Sequence, residues 1–228
     1  MIRRVKMKLS NETIDVLKNF SNINQNLLVK EGSQLRTMST MKNILAEVNV
    51  SETMPKEFGI YDLTEFLGVL TLVQDPELEF NHDSYLTVNG GPTKISYFYS
   101  DPSILVTPPD TFNEPETDVE FTVTKNSMSK VQKASAVMQL PDIVFTGTTQ
   151  GITMSVTDKK NSTSNMFQET FDNTGNNEGA FQFDFKIENL KIMPDDYSVT
   201  VSTEALVSCW KAVNKKVVYW IALEQPSD

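Results

Sequence analysis

The sequence predicts an α+β protein built from two similar domains, and three observations carry that prediction. Each half of the chain reads as a helix with one polar side followed by short strand-like runs, a proline-rich stretch separates the halves, and the pattern of one half can be laid over the other. In the overlay Tyr61-Asp62-Leu63-Thr64-Glu65-Phe66 matches Phe185-Lys186-Ile187-Glu188-Asn189-Leu190: aromatic, polar, aliphatic, polar, polar, large apolar. A repeat of about 110 residues is far longer than the roughly 20 to 50 of a solenoid unit, so it reads as duplication of a whole domain. The 228 residues leave each copy near the modal domain size and able to bury its own core.

The elements follow in order. Ser10 is a good N-cap for a helix over residues 11–23, in which Ile14, Val16, Leu17, Phe20 and Ile23 cover half of the wheel and Asn11, Asp15, Lys18 and Asn22 lie opposite. Strand-like runs at 27–29, 34–38, 44–48 and 57–61 follow, separated by polar or glycine-containing turns as in an antiparallel meander. Asp62, with Glu65 three residues on, has the spacing of a capping box. It opens a second helix with Leu63, Phe66, Leu67, Val69, Leu70 and Val73 as its apolar surface, ended by Asp75-Pro76. Residues 85–88 and 94–99 flank Asn89-Gly90-Gly91, the chemistry of a hairpin turn that needs positive φ.

Composition then changes. Asp101-Pro102, Pro108-Pro109-Asp110 and Glu114-Pro115-Glu116 mark an extended connection, which sets the domains at residues 1–107 and 118–228 with a linker over 108–117. In the second half, a helix over 126–138 puts Met128, Val131, Ala134 and Met138 on one side and Lys130 and Lys133 on an adjacent one, ending before Pro141. Strand-like runs at 143–146 and 152–157 precede a polar stretch, 158–179, whose conformation the pattern leaves open. Phe181, Phe183 and Phe185 alternate with period two, a short helix is expected over 187–193, and a last strand over 217–223 closes the chain.

Several function classes are disfavoured. Thirty acidic against twenty basic side chains give a formal net charge of −10, so DNA as a whole should be repelled. Cys209 has no intrachain partner, which fits a reducing compartment. The basic start is broken by Asn11, Glu12 and Asp15 where a secretion signal needs an unbroken apolar run, and the longest apolar stretch, 66–73, is far too short to span a bilayer. No membrane partner is expected. The single histidine, His82, lies beside Asn81 and Asp83 with no Gly-x-Ser-x-Gly elbow in the chain, and reads as a solvent-exposed loop residue. One His and one Cys leave no zinc site, and neither glycine-rich phosphate-binding motif occurs, so no cofactor, metal or enzymatic activity is expected. Pro194-Asp195-Asp196 reads first as a turn, while a carboxylate site assembled from distant parts of the chain stays open.

At the level of short motifs the chain resembles the sliding clamps, or DNA polymerase processivity factors, of T-even-type bacteriophages. The matching stretches are Met7-Lys8-Leu9-Ser10, Leu17-Lys18-Asn19-Phe20, Ile23-Asn24, Ile60-Tyr61-Asp62-Leu63 and Phe66-Leu67-Gly68. Asp101-Pro102-Ser103, Phe181-Gln182-Phe183, Asn189, Lys191, Pro194, Tyr197 and the closing residues from Tyr219 to Glu224 continue the series in the family's order. The six residues before Met7 precede the family's usual start, which leaves Met1 and Met7 as alternative initiators. The resemblance implies an α+β DNA-clamp fold: two similar domains per chain, inner helices, outer antiparallel sheets, and assembly into a homotrimeric ring.

A physical logic for that role can be read from the residues. Lys18, Lys125, Lys130, Lys133 and Lys191 sit on or beside the expected helices, and within a Debye length of about 10 Å at 0.1 M salt a lysine cluster outweighs more distant acids. Such contacts would bind double-stranded DNA independently of sequence, whereas the bland reading of each lysine is a solvated surface charge. Clamps generally take a short apolar peptide of a partner near the interdomain linker. Candidate pocket walls are Ile104, Leu105 and Val106 in the linker region and Tyr219, Ile221 and Leu223 in the last strand, with simple core positions as the alternative. The implied partners are further copies of the chain, duplex DNA, the phage DNA polymerase, an ATP-driven clamp loader and late-transcription factors, in the cytoplasm of an infected bacterial host. The competing reading is a phage structural or assembly protein built from duplicated β-rich domains; a hydrolase with dispersed carboxylates ranks last.

Overall fold

The computed structural model describes residues 5–148, 151–172 and 179–225. The chain divides into two compact units between Asp110 and Thr111. In the first, the order is β1 (Val5–Met7), α1 (Asn11–Ile23), β2 (Leu27–Val29), β3 (Gly32–Met38), β4 (Ile44–Met54), β5 (Phe58–Ile60), α2 (Leu63–Thr71), β6 (Glu77–Phe80), β7 (Tyr85–Gly90) and β8 (Thr93–Phe98). Strands β1, β6, β7 and β8 form an antiparallel sheet in that order, β3 and β4 form a hairpin, and β2 pairs with β5. Val5 and Lys6 of the early start lie in β1, while residues 1–4 are outside the described residues.

Both helices of this unit start where the sequence predicts, because capping is local chemistry. The Ser10 hydroxyl accepts from the Thr13 N–H at 3.2 Å, and Glu52 on β4 accepts from the Ser10 N–H and, at 2.5 Å, from the Thr13 hydroxyl. Val16, Leu17, Phe20 and Ile23 are buried where α1 packs on β3, β4 and α2. Asp62 accepts from the N–H groups of Thr64 and Glu65 at 2.9 and 3.0 Å. α2 ends earlier than Asp75-Pro76 suggests. Leu72 turns back with a three-residue bond to the Val69 carbonyl, and the Thr71 hydroxyl donates to the Gly68 carbonyl, tightening and closing the last turn. Gly91 sits at φ +55° in the β7–β8 turn, the left-handed conformation the sequence called for there.

The second unit contains β9 (Val119–Val123), α3 (Lys125–Met138), β10 (Asp142–Gly147), β11 (Ile152–Thr157), β12 (Phe167–Phe171), β13 (Phe181–Lys186), β14 (Tyr197–Ser202), β15 (Val207–Ala212) and β16 (Val217–Ala222). One antiparallel sheet runs β12-β11-β10-β13, and β9, β14, β15 and β16 are neighbours in that order in another. Trp210 is the aromatic hub: its ring meets Phe145, Phe185 and Tyr197 edge-on at about 6 Å between centroids. Its indole N–H donates to Ser208 at 2.8 Å, so the polar end is satisfied inside the core.

The helix expected over 187–193 is only a single 3₁₀ turn, Ile187–Asn189. The competing partners are core tyrosines. The Met193 N–H donates to the Tyr219 hydroxyl at 3.1 Å and its carbonyl accepts from the Tyr197 hydroxyl at 2.5 Å, so both backbone groups are engaged outside any helical ladder. Within the stretch left open by its polarity, Phe167, Glu169 and Phe171 are half-buried and alternate with exposed Gln168 and Thr170 along β12; residues 173–178 lie outside the described residues.

Candidate functional site

The helix faces differ in charge. On α1 the exposed charged residues are Glu12, Asp15 and Lys18, and the Lys18 ammonium lies 3.2 Å from Asp15. On α2 the only charged residue is Glu65. α3 is different: Lys125, Lys130 and Lys133 are all exposed and the helix contains no acidic residue. Ser127, Met128, Val131 and Ser135 are buried against the sheet side, where α3 packs on β11 and β12, which turns the lysines outward.

Local chemistry holds that face in place. Thr124 caps α3 by accepting from the Ser127 N–H at 3.1 Å, and Asp196 accepts from the Lys125 N–H at 2.7 Å. Gln139 ends the helix in the left-handed region at φ 55°. Glu169 on β12 lies 2.8 Å from the Lys130 ammonium and accepts from the Ser127 hydroxyl at 3.2 Å. Lys191 is exposed but belongs to the extended segment after the 3₁₀ turn instead of a helix.

A second feature lies where the chain leaves the first unit. Residues 100–110 are fastened to it group by group. The Ser100 N–H donates to the Gly59 carbonyl at 3.0 Å, and a Cβ at Gly59 would lie 2.4 Å from the Ser100 carbonyl oxygen, so only glycine permits this approach. Leu105, 8% exposed, packs against Gly59. The Asn24 amide donates to the Val106 carbonyl at 3.2 Å, and an Arg36 N–H group donates to the carbonyls of Pro109 and Asp110 at 2.9 and 3.3 Å. The Lys30 ammonium lies 2.6 Å from the Asp110 carboxylate, whose proton affinity is lowered first by that hydrogen bond and charge and then by Arg36. Between this segment and β2 and β3 is a cavity of about 190 Å³, bordered by Leu28, Lys30, Gln34, Arg36, Pro108 and Asp110 among others.

The apolar residues chosen from the sequence separate on the structure. Ile104 is 59% exposed, Val106 is half-buried, and Leu105 is a packing residue. Tyr219 and Ile221 are fully buried. They are core positions of β16 and present no surface to a peptide, because inward alternation and pocket lining look alike in a strand sequence. Leu223 is half-buried and borders a different cavity of about 380 Å³ with Phe183, Leu206 and Glu224. The missed cavity residues, Leu28, Lys30 and Arg36, carry no spacing signal of their own, although Pro108-Pro109-Asp110 pointed to the segment that borders them.

Other reactive groups are in structural roles. His82 is exposed and stacks on Tyr85 at 4.0 Å. Cys209 is buried, and burial pushes its thiol up to about 11. Asp195 accepts from the Asn214 amide and from the N–H groups of Asn214 and Asp196, which ties the turn that the sequence expected at Pro194-Asp195-Asp196 to the β15–β16 turn. Among the described residues no group of three or more His, Cys, Asp or Glu side chains is placed to hold a metal ion, and no helix is long and apolar enough to cross a membrane.

The fold is that of a sliding clamp. The A. fulgidus PCNA, solved with the C-terminal region of FEN-1, superposes with a TM-score of 0.72 at 15% identity, covering 99% of both chains. The Entamoeba histolytica PCNA gives 0.71 at 12% identity over 97% of this chain and 98% of that one. Residues 8–107 match the family described as DNA polymerase processivity factor, and residues 120–225 match the gp45 sliding clamp, C terminal, family. The sliding clamp of Vibrio phage KVP40 is 33% identical over 224 residues, covering 96% of this chain and 99% of that protein; the sliding clamp of Enterobacteria phage T4 is 26% identical, covering 97% and 98%. The chain belongs to the sliding clamp and processivity factor family of T4-like bacteriophages, which displaces the alternative of a virion structural component.

Proposed function

We propose that three copies close head to tail into a ring that encircles duplex DNA and tethers the phage DNA polymerase in the infected bacterial host. The observation that carries this reading is the α3 face: three exposed lysines and no acid on one helix of a chain whose net charge is −10. Lys125 and Lys133, with Lys191 nearby, attract phosphate without reading sequence, and Lys18 and Lys130 add weaker contributions because Asp15 and Glu169 already neutralise part of their charge. Retention then comes from topology, not affinity. Closure requires complementary edges, and each unit offers one: β8 ends its sheet in the first unit with Phe98 66% exposed, and β12 ends its sheet in the second.

The polymerase is held at the cavity beside residues 107–110, which at about 190 Å³ accepts one large apolar side chain of a peptide. Ile104 and Val106 flank it on the same segment. An ATP-driven loader opens and closes the ring, and the loaded ring also serves late-transcription factors through the same outer surface. The test uses the full chain loaded by its cognate loader on nicked circular duplex. Bound protein should survive a moderate salt wash and be lost once the circle is linearised; equal loss from both templates would refute encirclement.

A further inference from the structure

Resting on the reading of the 190 Å³ cavity as the polymerase-peptide site, we infer that Asp110 occupies the position of a partner carboxylate on Lys30, so that the cavity selects peptides with an acidic group beside a large apolar side chain. The fastening of residues 100–110 changes character along its length. Ser100 and Val106 are held through backbone hydrogen bonds, and Leu105 by burial. Asp110 is held differently: its side chain is 84% exposed, and the Lys30 side chain that faces it is 53% exposed. An exposed ion pair of that kind is the weakest contact on the segment and the easiest to exchange for another carboxylate.

The cavity wall is otherwise arranged for that exchange. Arg36 keeps the backbone of Pro109 and Asp110 in place through its own N–H groups, and its Nε lies 3.2 Å from Glu47 without hydrogen-bond alignment, so the segment stays put when the Asp110 side chain swings away. Lys30 then projects a single ammonium at the cavity mouth, beside Leu28 and Pro108 and the apolar stems of Gln34 and Arg36. Exposed Glu31 on the same rim disfavours a peptide with several acids and limits recognition to one. The occupant is therefore a peptide with one carboxylate, either an acidic side chain or the chain end, adjacent to an apolar anchor. Asp110 is its intramolecular competitor.

The experiment measures fluorescence anisotropy of a labelled peptide comprising the last dozen or so residues of the same phage's DNA polymerase, titrated with the full-length clamp. Asp110→Asn removes the competitor and should tighten binding roughly two- to fivefold, the span of an exposed ion pair, while Lys30→Gln should weaken it by a similar factor and abolish the gain in the double variant. Amidating the peptide's C-terminus, or replacing its acidic side chains by their amides, identifies which carboxylate Lys30 takes. Unchanged or weaker binding to Asp110→Asn overturns the inference while leaving the cavity as a peptide site. No binding to the wild-type clamp would overturn both.

Discussion

Residue by residue, charge at the helix faces matters through its neighbours more than through its number. Lys18 shares its face with Glu12 and Asp15, whereas Lys125 and Lys133 stand on a helix without acids. Reversing Lys125 and Lys133 together to Glu should impair loading on primed circles severely and lower the salt dependence of DNA association by about two phosphate contacts, whereas Lys18→Glu should have a small effect. Loading assayed across a salt series distinguishes them, and equal defects would remove the distinction between the helices. Leu105 provides a second case. Its place against Gly59 makes it part of the first unit's core, so Leu105→Asp should cost about 2–4 kcal/mol of stability, read as a lower melting temperature and urea midpoint, in addition to any loss of peptide affinity. A variant with an unchanged melt and weakened peptide binding would return Leu105 to the pocket wall.

At the scale of elements, α1 is capped twice, locally by Ser10 and from a distance by Glu52 on β4. Burial pushes the Glu52 carboxyl up, but hydrogen bonds from Thr13 and Ser10 outweigh it, and the folded value lies below the ordinary 4.5. A lowered carboxyl stabilises the fold above its unfolded value and loses that contribution as pH falls through the folded one. Glu52→Gln should therefore destabilise by about 1 kcal/mol at neutral pH, the size of a helix cap, and the deficit should shrink as pH is lowered below 4.5. Paired urea titrations at pH 7 and pH 3.5 check this; a deficit independent of pH would mean that the carboxylate charge contributes nothing. Elements also differ in how plainly they are written in sequence. The alternation of Tyr197, Val199 and Val201 is legible in β14, although no strand is assigned there from the sequence, while β6, with two glutamates in Glu77–Phe80, shows no such signal because Glu79 is buried beside Asn89.

For the whole molecule the consequence is assembly. In the proposed ring the α3 faces of the copies converge, and that convergence needs closed symmetry. Light scattering should give a mass about three times 25.7 kDa. Phe98→Asp, at an exposed position on the edge strand β8, should shift that mass toward the monomer while leaving the melt of the isolated chain nearly unchanged. A trimer that persists unaltered would place the contact on another edge.

The starts of α1 and α2, the hairpin turn at Gly91, the phenylalanine alternation of β13 and the family itself were determined by the sequence alone. Each depends on residues close together along the chain: Ser10 with Thr13, Asp62 with Glu65, Phe181 with Phe183 and Phe185. The tertiary structure alone decided which apolar side chains face outward and which acid each paired cation meets, as Lys130 meets Glu169. Tyr219 and Ile221 became core because β16 is covered on the side they face, the 187–193 helix gave way because the Met193 N–H went to Tyr219, twenty-six residues on, while its carbonyl went to Tyr197, and Lys30 met Asp110 across eighty residues of chain. Except for the short reach of Tyr197, those outcomes follow from contacts between segments far apart in sequence, where neither spacing nor propensity specifies the partner.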